Sequence, residues 1–351
     1  MSEAIPGIDP DPVGAWLRAH VPDAGSAEGF AFARIGDGRS NLTFRVAGTD
    51  GSGPWILRRP PLGPRLRGAH DMAREHRLLA ALRPAGARVP APLGLCEDES
   101  VTGAPFYVME LVEGLAITDL DDVAAVPEDR RDALARSLVR ELAALHAVDV
   151  DAADLGDLAR REGYAERQVK GWWRQWEASR TRDVPAIDRV HERLRAAPPD
   201  QRRLSVVHGD YKLENVVSGA DGEVRAILDW ELCTLGDPLG DLGGLMSYWV
   251  DADDDPAWAL AGERAPTRAP GFPTRSELVA EYAEASGADL SDLPWYEALG
   301  AWRLAIILQG VIRRFRDTPE NANMPPDALE PTLDALAARA ERLLDGDSIT
   351  A

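Results

Sequence analysis

Residues 206–242 read VVHGDYKLENVVSGADGEVRAILDWELCTLGDPLGDL, a pattern of short apolar runs separated by polar loops and turn signals. One apolar run begins after Asn215, and a second run, over 224–228, ends at Asp229. Between them lies Asp221-Gly222, a pair that suits the positive φ angles of tight turns. We therefore predict a β-hairpin that brings Asn215 and Asp229 together at its open end.

The polar residues at this open end have the composition of a phosphoryl-transfer site. The amide oxygen of Asn215 and the carboxylate of Asp229 are hard oxygen ligands that suit Mg²⁺, with nucleotide phosphates and water as the remaining ligands. Asp210 lies five residues before Asn215, in the loop that leads to the hairpin. It is placed to accept a proton from an attacking hydroxyl group. The sequence thus predicts a magnesium site beside a general base.

The motifs His208-Gly209-Asp210, Asn215 and Asp229-Trp230 resemble the catalytic loop and metal-binding motif of the aminoglycoside phosphotransferase group, which is related to protein and choline kinases. The continuation LGDPLGDL, residues 235–242, is similar to a narrower set, the kinase-like domain of some acyl-CoA dehydrogenase family proteins. The resemblance extends from about residue 35 to about residue 302, so it covers most of the chain.

This resemblance implies an α+β, protein-kinase-like fold with two lobes. The N-terminal nucleotide-binding lobe, residues 1–112, would contain a small antiparallel β-sheet and an N-terminal helix. The C-terminal lobe, residues 113–351, would be larger and mainly helical, and would carry catalysis and acceptor binding. The leucines of 128–148 recur on one face of a helix, which agrees with a helical second part.

A glycine-containing turn lies between two strand-like runs, 30–32 and 42–46. Such a turn can lay backbone N–H groups over phosphates, although taken alone it is typical of an ordinary hairpin. The resemblance makes it the phosphate-binding loop of the first lobe. The expected nucleotide contacts in this loop are Gly36, Gly38, Ser40 and Asn41.

In kinases, a strand of the first lobe supplies a lysine that holds the nucleotide phosphates, but this chain has no lysine before Lys170. Arg58 occupies the matching place, and we expect it to contact phosphate, the alternative being a charge in solvent at the sheet edge. Glu75, in a helix predicted over 69–82, would orient Arg58. Backbone groups near Glu110 and Val112 would bind the adenine.

Further roles in the catalytic loop follow from the resemblance. Lys212, two residues after Asp210, would balance charge on the transferred phosphoryl group. We expect His208 to hold the loop by hydrogen bonds and Asp241 to brace it.

A tryptophan-rich helix is predicted over 164–179, and such a helix usually packs in the core or between lobes. In the resembled family a helical insertion near this position helps to form the acceptor pocket, so we expect Trp173 and Trp176 to face the acceptor. A later helix, over 295–315, carries several polar side chains that would bind an anionic acceptor or, for most of them, face solvent. They are Arg303, Gln309, Arg313 and Arg314.

Composition excludes several other classes of function. The formal net charge of −20 argues against general nucleic-acid binding. No apolar run is long enough to span a membrane, and the first residues do not resemble a targeting signal. Two isolated cysteines, Cys96 and Cys233, favour a reducing cytoplasm. A metal-dependent hydrolase would need more clustered ligands than six scattered histidines provide.

The sequence therefore predicts an ATP-dependent phosphotransferase that uses Mg²⁺ and acts on a hydroxyl group of a small molecule. The acceptor is of a hydroxyacyl or coenzyme A type, or of an amino-sugar type. The alternative is a catalytically weak or inactive ATP-binding pseudokinase, a regulatory module, because the N-lobe lysine is missing. The choice between ATP and GTP and the oligomeric state stay open.

Overall fold

The computed structural model describes residues 5–36, 41–63, 70–258, 264–322 and 324–347. Its contacts divide the chain into two compact units. The first consists of Met1–Glu113 and Ala226–Glu231, and the second of Gly114–Arg225 and Leu232–Ala351. The short segment Ala226–Glu231, which includes Asp229, thus belongs to the first unit, whereas the division made from the sequence put it in the second lobe.

A five-stranded antiparallel sheet forms the centre of the first unit, in the order β1-β2-β3-β5-β4. Along β2 the residues alternate between buried and more exposed positions, because successive side chains of a strand point to opposite faces. The elements are α1 (Pro10–His20), β1 (Phe30–Ile35), β2 (Leu42–Gly48), β3 (Trp55–Arg59), α2 (Met72–Leu82), β4 (Pro92–Cys96) and β5 (Phe106–Glu110).

The core of this unit lies between the sheet and α1. Phe44, Leu57 and Phe106 are fully buried there, and Leu17 reaches them from α1. The register sets Arg58 of β3 opposite Thr43 on one side and Tyr107 on the other. Arg58 therefore lies in the middle of the sheet and not at a solvated edge, so the alternative of an edge charge is wrong.

Helices dominate the second unit, together with two pairs of short strands. Strand β6 (Ser205–Val207) pairs with β9 (Thr234–Gly236), and β7 (Val216–Ser218) pairs with β8 (Val224–Ile227), which is the hairpin predicted from the sequence. The helices are α3 (Glu128–His146), α4 (Tyr164–Ser179), α5 (Pro185–Ala196), α6 (Leu239–Tyr248), α7 (Arg275–Ser286), α8 (Leu293–Asp317) and α9 (Glu330–Leu344).

Long α8 packs on α6, α9 and α4. At its crossing with α6, a Cβ atom added to Gly243 would lie 2.5 Å from the backbone carbon of Tyr296. Only glycine permits so close an approach of the two helices. This contact fixes α6 against α8, and side chains from both helices reach the catalytic loop.

Neither α5 nor α6 was predicted from the sequence. The predicted start of α2 at residue 69 lies outside the described residues, and the helix begins at Met72 after its capping residue Asp71, whose side chain accepts from Arg74 N. No helix among the described residues is long and apolar enough to cross a membrane.

Candidate active site

In the first unit, Arg58 links two acidic side chains. Its Nε lies 3.2 Å from Glu75 Oε2, and its Nη2 pairs with Asp229 Oδ1. The hydroxyl of Tyr107 donates to Glu75 Oε2 at 3.1 Å. Burial disfavours the guanidinium charge, but Tyr107, Glu75 and Asp229 outweigh it, so the pKa of Arg58 is raised. The predicted pairing of Arg58 with Glu75 is confirmed.

The side chain of Asn41 hydrogen-bonds to this cluster. It is buried, and its Nδ2 donates to Glu75 Oε1 at 3.1 Å and to Glu231 Oε2 at 3.4 Å. Its Oδ1 lies 2.8 Å from His70 Nδ1. The amide is thus bonded to Glu75 and His70, and the expected contact of the Asn41 side chain with phosphate stays a prediction. Burial raises the pKa of Glu75, and Arg58 opposes that rise.

The remaining residues of the predicted phosphate loop are only partly described. Gly36 has a φ of +68°, and a Cβ there would meet nothing within 4 Å, so backbone is open to approach at this point. Gly38 and Ser40 lie outside the described residues.

Asp229 adopts a left-handed backbone conformation, with φ of +63°. This region is uncommon for residues other than glycine and often marks functional sites. The turn after it is held by Trp230, whose Nε1 donates to Ile227 O at 3.1 Å. The carboxylate of Asp229 is presented by a locally constrained backbone.

At the predicted adenine site, both the backbone N–H and the carboxylate of Glu110 have partners within the protein. Its backbone N–H donates to Ala91 O at 2.8 Å, and its carboxylate pairs with Arg83 at 3.0 Å. Val112 follows in the segment after β5 and is half-buried. The adenine contact of these two residues stays a prediction, with Val112 the better candidate for a free N–H.

In the second unit, Asp241 braces the catalytic loop, as predicted. Its Oδ2 accepts from the backbone N–H of His208 at 2.6 Å, and its Oδ1 accepts from that of Gly209 at 2.8 Å. His146 Nε2 lies 3.2 Å from Oδ2. Burial alone would raise the pKa of Asp241, but His146, His208 and Gly209 lower it below its ordinary value. This carboxylate therefore stays ionised and fixes the start of the loop.

Gly209 has a φ of +84°, and an added Cβ would lie 2.5 Å from Leu232 O. A side chain at this position would disrupt the loop. The predicted role of His208 is confirmed, because its Nδ1 accepts from the N–H of Asp210 at 3.2 Å.

The structure brings Asp210, Lys212 and Asn215 together. Lys212 Nζ lies 2.9 Å from Asp210 Oδ2. Asn215 Nδ2 donates to the same oxygen at 2.9 Å and to Asp210 O at 2.8 Å. These two bonds fix the amide orientation, so that Asn215 Oδ1 is the group left to face a cation. Although burial opposes it, Tyr248 and Asp210 raise the pKa of Lys212, which stays charged.

Two contacts of Asp210 were not predicted. Tyr248, the last residue of α6, donates its hydroxyl to Asp210 Oδ1 at 3.1 Å. Arg303 of α8 places Nη2 at 3.4 Å from the same oxygen and stacks on Trp172, with 5.1 Å to the ring centroid. Arg303 is thus not part of a solvated face. The sequence offered no signal for Tyr248, since a tyrosine at a helix end is typical of packing.

A pocket of about 330 Å³ opens beside Gly209 and Arg303. Trp172 lines it, whereas Trp176 is buried in the core and Trp173 stacks on His191 at 3.9 Å on another face of α4. Burial of Trp176 contradicts its expected position at the acceptor. Trp173 lines a separate pocket of about 380 Å³ with His191, so its expected contact with an acceptor stays a prediction. The lining residues are Tyr164, Arg167, Gln168, Gly171, Trp172, Gln175, Gly209, Leu232, Thr234 and Arg303.

Other predicted polar residues lie away from this pocket. Gln309 is buried and donates to Ser179 O at 3.1 Å. Arg313 is exposed and pairs with Asp317 at 2.8 Å. Both cysteines are buried and unbonded to each other, as expected of spectator thiols.

Comparison with known proteins gives a family match over most of the chain. The model of the phosphotransferase enzyme family matches residues 31–278. Acyl-CoA dehydrogenase family member 11 of Mus musculus is 33% identical over 339 residues, which cover 94% of this chain and 43% of that protein. The chain spans about a quarter to two fifths of the length of the first curated relatives that it matches.

Solved structures share the fold. A protein of Ralstonia eutropha JMP134 with a solved crystal structure is 31% identical, with a TM-score of 0.77 over 95% of this chain and 98% of that one. A spectinomycin phosphotransferase solved with ADP and spectinomycin has a TM-score of 0.60 at 13% identity, over 95% of this chain and 99% of that one. The predicted α+β, kinase-like fold is confirmed.

Proposed function

We propose that this chain, which belongs to the phosphotransferase enzyme family, transfers the γ-phosphoryl group of ATP to a hydroxyl group of a small molecule. The arrangement of Asp210 carries this proposal. Its carboxylate is bonded to Lys212 and Asn215 in a loop whose Gly209 lines a pocket of about 330 Å³. A general base beside a pocket of this size suits the deprotonation of a bound alcohol.

In the proposed reaction, the acceptor hydroxyl gives its proton to Asp210 as its oxygen bonds to the γ-phosphorus. The bond between that phosphorus and the bridging oxygen breaks, and ADP leaves. The positive charge of Lys212 offsets charge on the transferred group. We propose that Arg58, oriented by Glu75, contacts the phosphates from the first unit.

We propose that the nucleotide binds together with Mg²⁺. We propose that Asn215, through Oδ1, and Asp229, through its carboxylate, supply the protein oxygens. No group of three or more His, Cys, Asp or Glu side chains that could hold a metal occurs in the described ranges, so phosphates and water would supply the remaining ligands. When bound, Mg²⁺ would neutralise charge on the phosphates.

The charges in the pocket favour the anionic, hydroxyacyl type of acceptor over the amino-sugar type. Arg167 bonds the backbone carbonyls of Glu162 and Leu235 and forms no ion pair with a carboxylate of the described residues. Arg303 has a buried Nε–H without a hydrogen-bond partner among the described residues. Two guanidinium groups beside an indole ring suit a carboxylate, thioester or phosphate group on an apolar body.

One observation favours the alternative, an ATP-binding regulatory module without catalysis. Arg58 pairs directly with Asp229, and this pairing occupies an oxygen of the proposed metal ligand. A phosphotransferase would have to bind the metal through the other oxygen of Asp229 or give up this pairing, whereas an inactive module would need neither.

The test is ADP release by the purified protein with Mg-ATP across a panel of acceptors. The panel contains aminoglycosides, choline-like alcohols, sugars, and hydroxy acids with their coenzyme A thioesters. We expect turnover with the hydroxy-acid group and at least a thousandfold loss, on the order of 4 kcal/mol, in Asp210→Asn. Asp253→Asn, at an exposed loop position, is the matched control and should keep the wild-type rate.

Equal rates in wild type and Asp210→Asn would refute the proposed role of Asp210. Binding of Mg-ATP without turnover of any acceptor would support the regulatory module. Turnover with aminoglycosides alone would contradict the preference for an anionic acceptor.

A further inference from the structure

Among the described residues, the carboxylate of Asp210 has four polar contacts, two on each oxygen, and those of Oδ2 are the shorter ones. Oδ2 lies 2.9 Å from Lys212 Nζ and accepts from Asn215 Nδ2 at 2.9 Å. Oδ1 accepts from the Tyr248 hydroxyl at 3.1 Å and has a longer contact of 3.4 Å with Arg303 Nη2. A carboxylate oxygen has about two sites for hydrogen bonds, so Oδ2 is filled by short contacts. Oδ1 is therefore the oxygen that can take a proton from the acceptor.

Tyr248 makes the only short bond to Oδ1 among the described residues. Its ring also lies under Lys212, whose Nζ is 4.6 Å from the ring centroid. Burial and the charge of Asp210 raise the pKa of Tyr248 to about 12, so the hydroxyl remains a donor at neutral pH. One side chain thus contacts both Asp210 and Lys212.

Helix α6 holds the catalytic loop at two points. Asp241, in its first turn, bonds the N–H groups of His208 and Gly209, and Tyr248, its last residue, bonds Asp210. The close crossing at Gly243 fixes the helix against α8. The hydroxyl of Tyr248 is consequently held in place by a rigid element.

We infer that Tyr248 is a positioning residue for phosphoryl transfer: its hydroxyl orients Oδ1 of Asp210 toward the acceptor hydroxyl, and its ring keeps Lys212 beside Oδ2. The inference rests on the proposed role of Asp210 as the base. In the transfer step, the acceptor proton moves to Oδ1 while the new P–O bond forms and the bond to ADP breaks. Tyr248 keeps its own proton throughout.

The first test is Tyr248→Phe, which keeps the ring and removes the hydroxyl. We expect kcat to fall about 10- to 100-fold, which corresponds to the free energy of one hydrogen bond to a charged group. KM for ATP should stay within about twofold. ATP turnover is measured with the acceptors of the panel and with water alone.

Tyr296→Phe is the matched control. Tyr296 lies on α8, its hydroxyl is buried, and it has no hydrogen-bond partner among the described residues. Removing that hydroxyl should change neither kcat nor KM. A merely structural effect of the Tyr248 change would instead appear as a lower melting temperature at an unchanged kcat.

A second readout needs no acceptor, because the chain contains only two lysines, Lys170 and Lys212. Their reaction with an amine-selective reagent is followed by mass spectrometry of the digested protein. Tyr248→Leu removes the ring under Lys212 as well as the hydroxyl, so we expect Lys212 to react at least about twice as fast in this variant, whereas Tyr248→Phe keeps the ring. Lys170, an exposed residue of α4, is the internal reference and should not change.

The outcomes separate the inference from the proposed function. If Asp210→Asn is inactive and Tyr248→Phe has the wild-type kcat, the inference is wrong and the proposed function stands. If Asp210→Asn is fully active, both fail. An unchanged labelling rate of Lys212 in Tyr248→Leu, or an equal loss of kcat in Tyr296→Phe, would also overturn the inference.

Discussion

Replacing Glu297 by glutamine should change how the stability of this protein depends on pH. Glu297 lies on α8, is completely buried, and neither of its carboxylate oxygens has a hydrogen-bond partner among the described residues. Two buried arginines, Arg275 and Arg339, provide the charges that act on it. Burial outweighs their attraction and raises the pKa of Glu297 from 4.5 to about 7.

The magnitude follows from this shift of about 2.5 pKa units, each worth about 1.4 kcal/mol. Because the folded state holds the proton more tightly than the unfolded state, Glu297 favours folding at low pH. That contribution is complete below pH 4.5 and is lost as the pH rises to about 7. The loss is about 3.5 kcal/mol at most. Glutamine stays neutral, so the variant should gain stability relative to wild type by up to this amount between pH 5 and pH 8.

The assay is urea unfolding of both proteins at several pH values across this range. Glu284→Gln, at an exposed position of α7, is the control and should follow the wild-type curve. Parallel stability curves for wild type and Glu297→Gln would refute the reasoning, because they would mean that Glu297 ionises in the folded protein as it does in the unfolded chain.

Three further changes test the two clusters and the pocket. Asp241→Asn puts an amide donor where two backbone N–H groups need acceptors, so the free energy of unfolding in urea should fall by about 1–3 kcal/mol. An unchanged free energy of unfolding would contradict the bracing role. Glu75→Gln removes the charge that pairs with Arg58, so KM for ATP in steady-state kinetics should rise about tenfold while KM for the acceptor stays unchanged. The prediction fails if both KM values rise together. Trp172→Ala should raise KM for the acceptor about tenfold, whereas Trp173→Ala should not, and equal effects would count against the assigned pocket.

Motifs with a local cause were predictable from the sequence. The hairpin follows from the apolar runs and the turn signal within 206–242, whereas the bracing by Asp241 and the structural role of His208 came from the family resemblance. The pairing of Arg58 with Glu75 required knowledge of a fold in which a central strand and a helix of the first unit face each other, and the family resemblance supplied it. The fold class was correct for the same reason.

What could not be predicted depends on helix orientation. Trp172 and Trp173 are adjacent in sequence, yet they face different surroundings, because each step along a helix turns the side chain by about 100°. The approach of α6 to α8 decides that Tyr248 and Arg303 reach Asp210, and periodicity does not reveal which face of a helix meets which neighbour. The side chain of Asn41 likewise bonds Glu75, a partner 34 residues away.

The unusual cation content of this chain has a structural counterpart at the candidate site. The sequence contains 37 arginines and two lysines. At the candidate site, the first unit uses an arginine, Arg58, and the second uses a lysine, Lys212, and in each case the shape of the cation matches its partners. The planar guanidinium of Arg58 meets Glu75 with Nε and Asp229 with Nη2, two contacts that a single ammonium nitrogen could not make in the same geometry. Lys212 instead places the compact charge of its ammonium group between Asp210 Oδ2 and the ring of Tyr248. The missing kinase lysine therefore does not by itself indicate lost catalysis, because arginine at position 58 retains the ion pair with the helix glutamate and adds a second one.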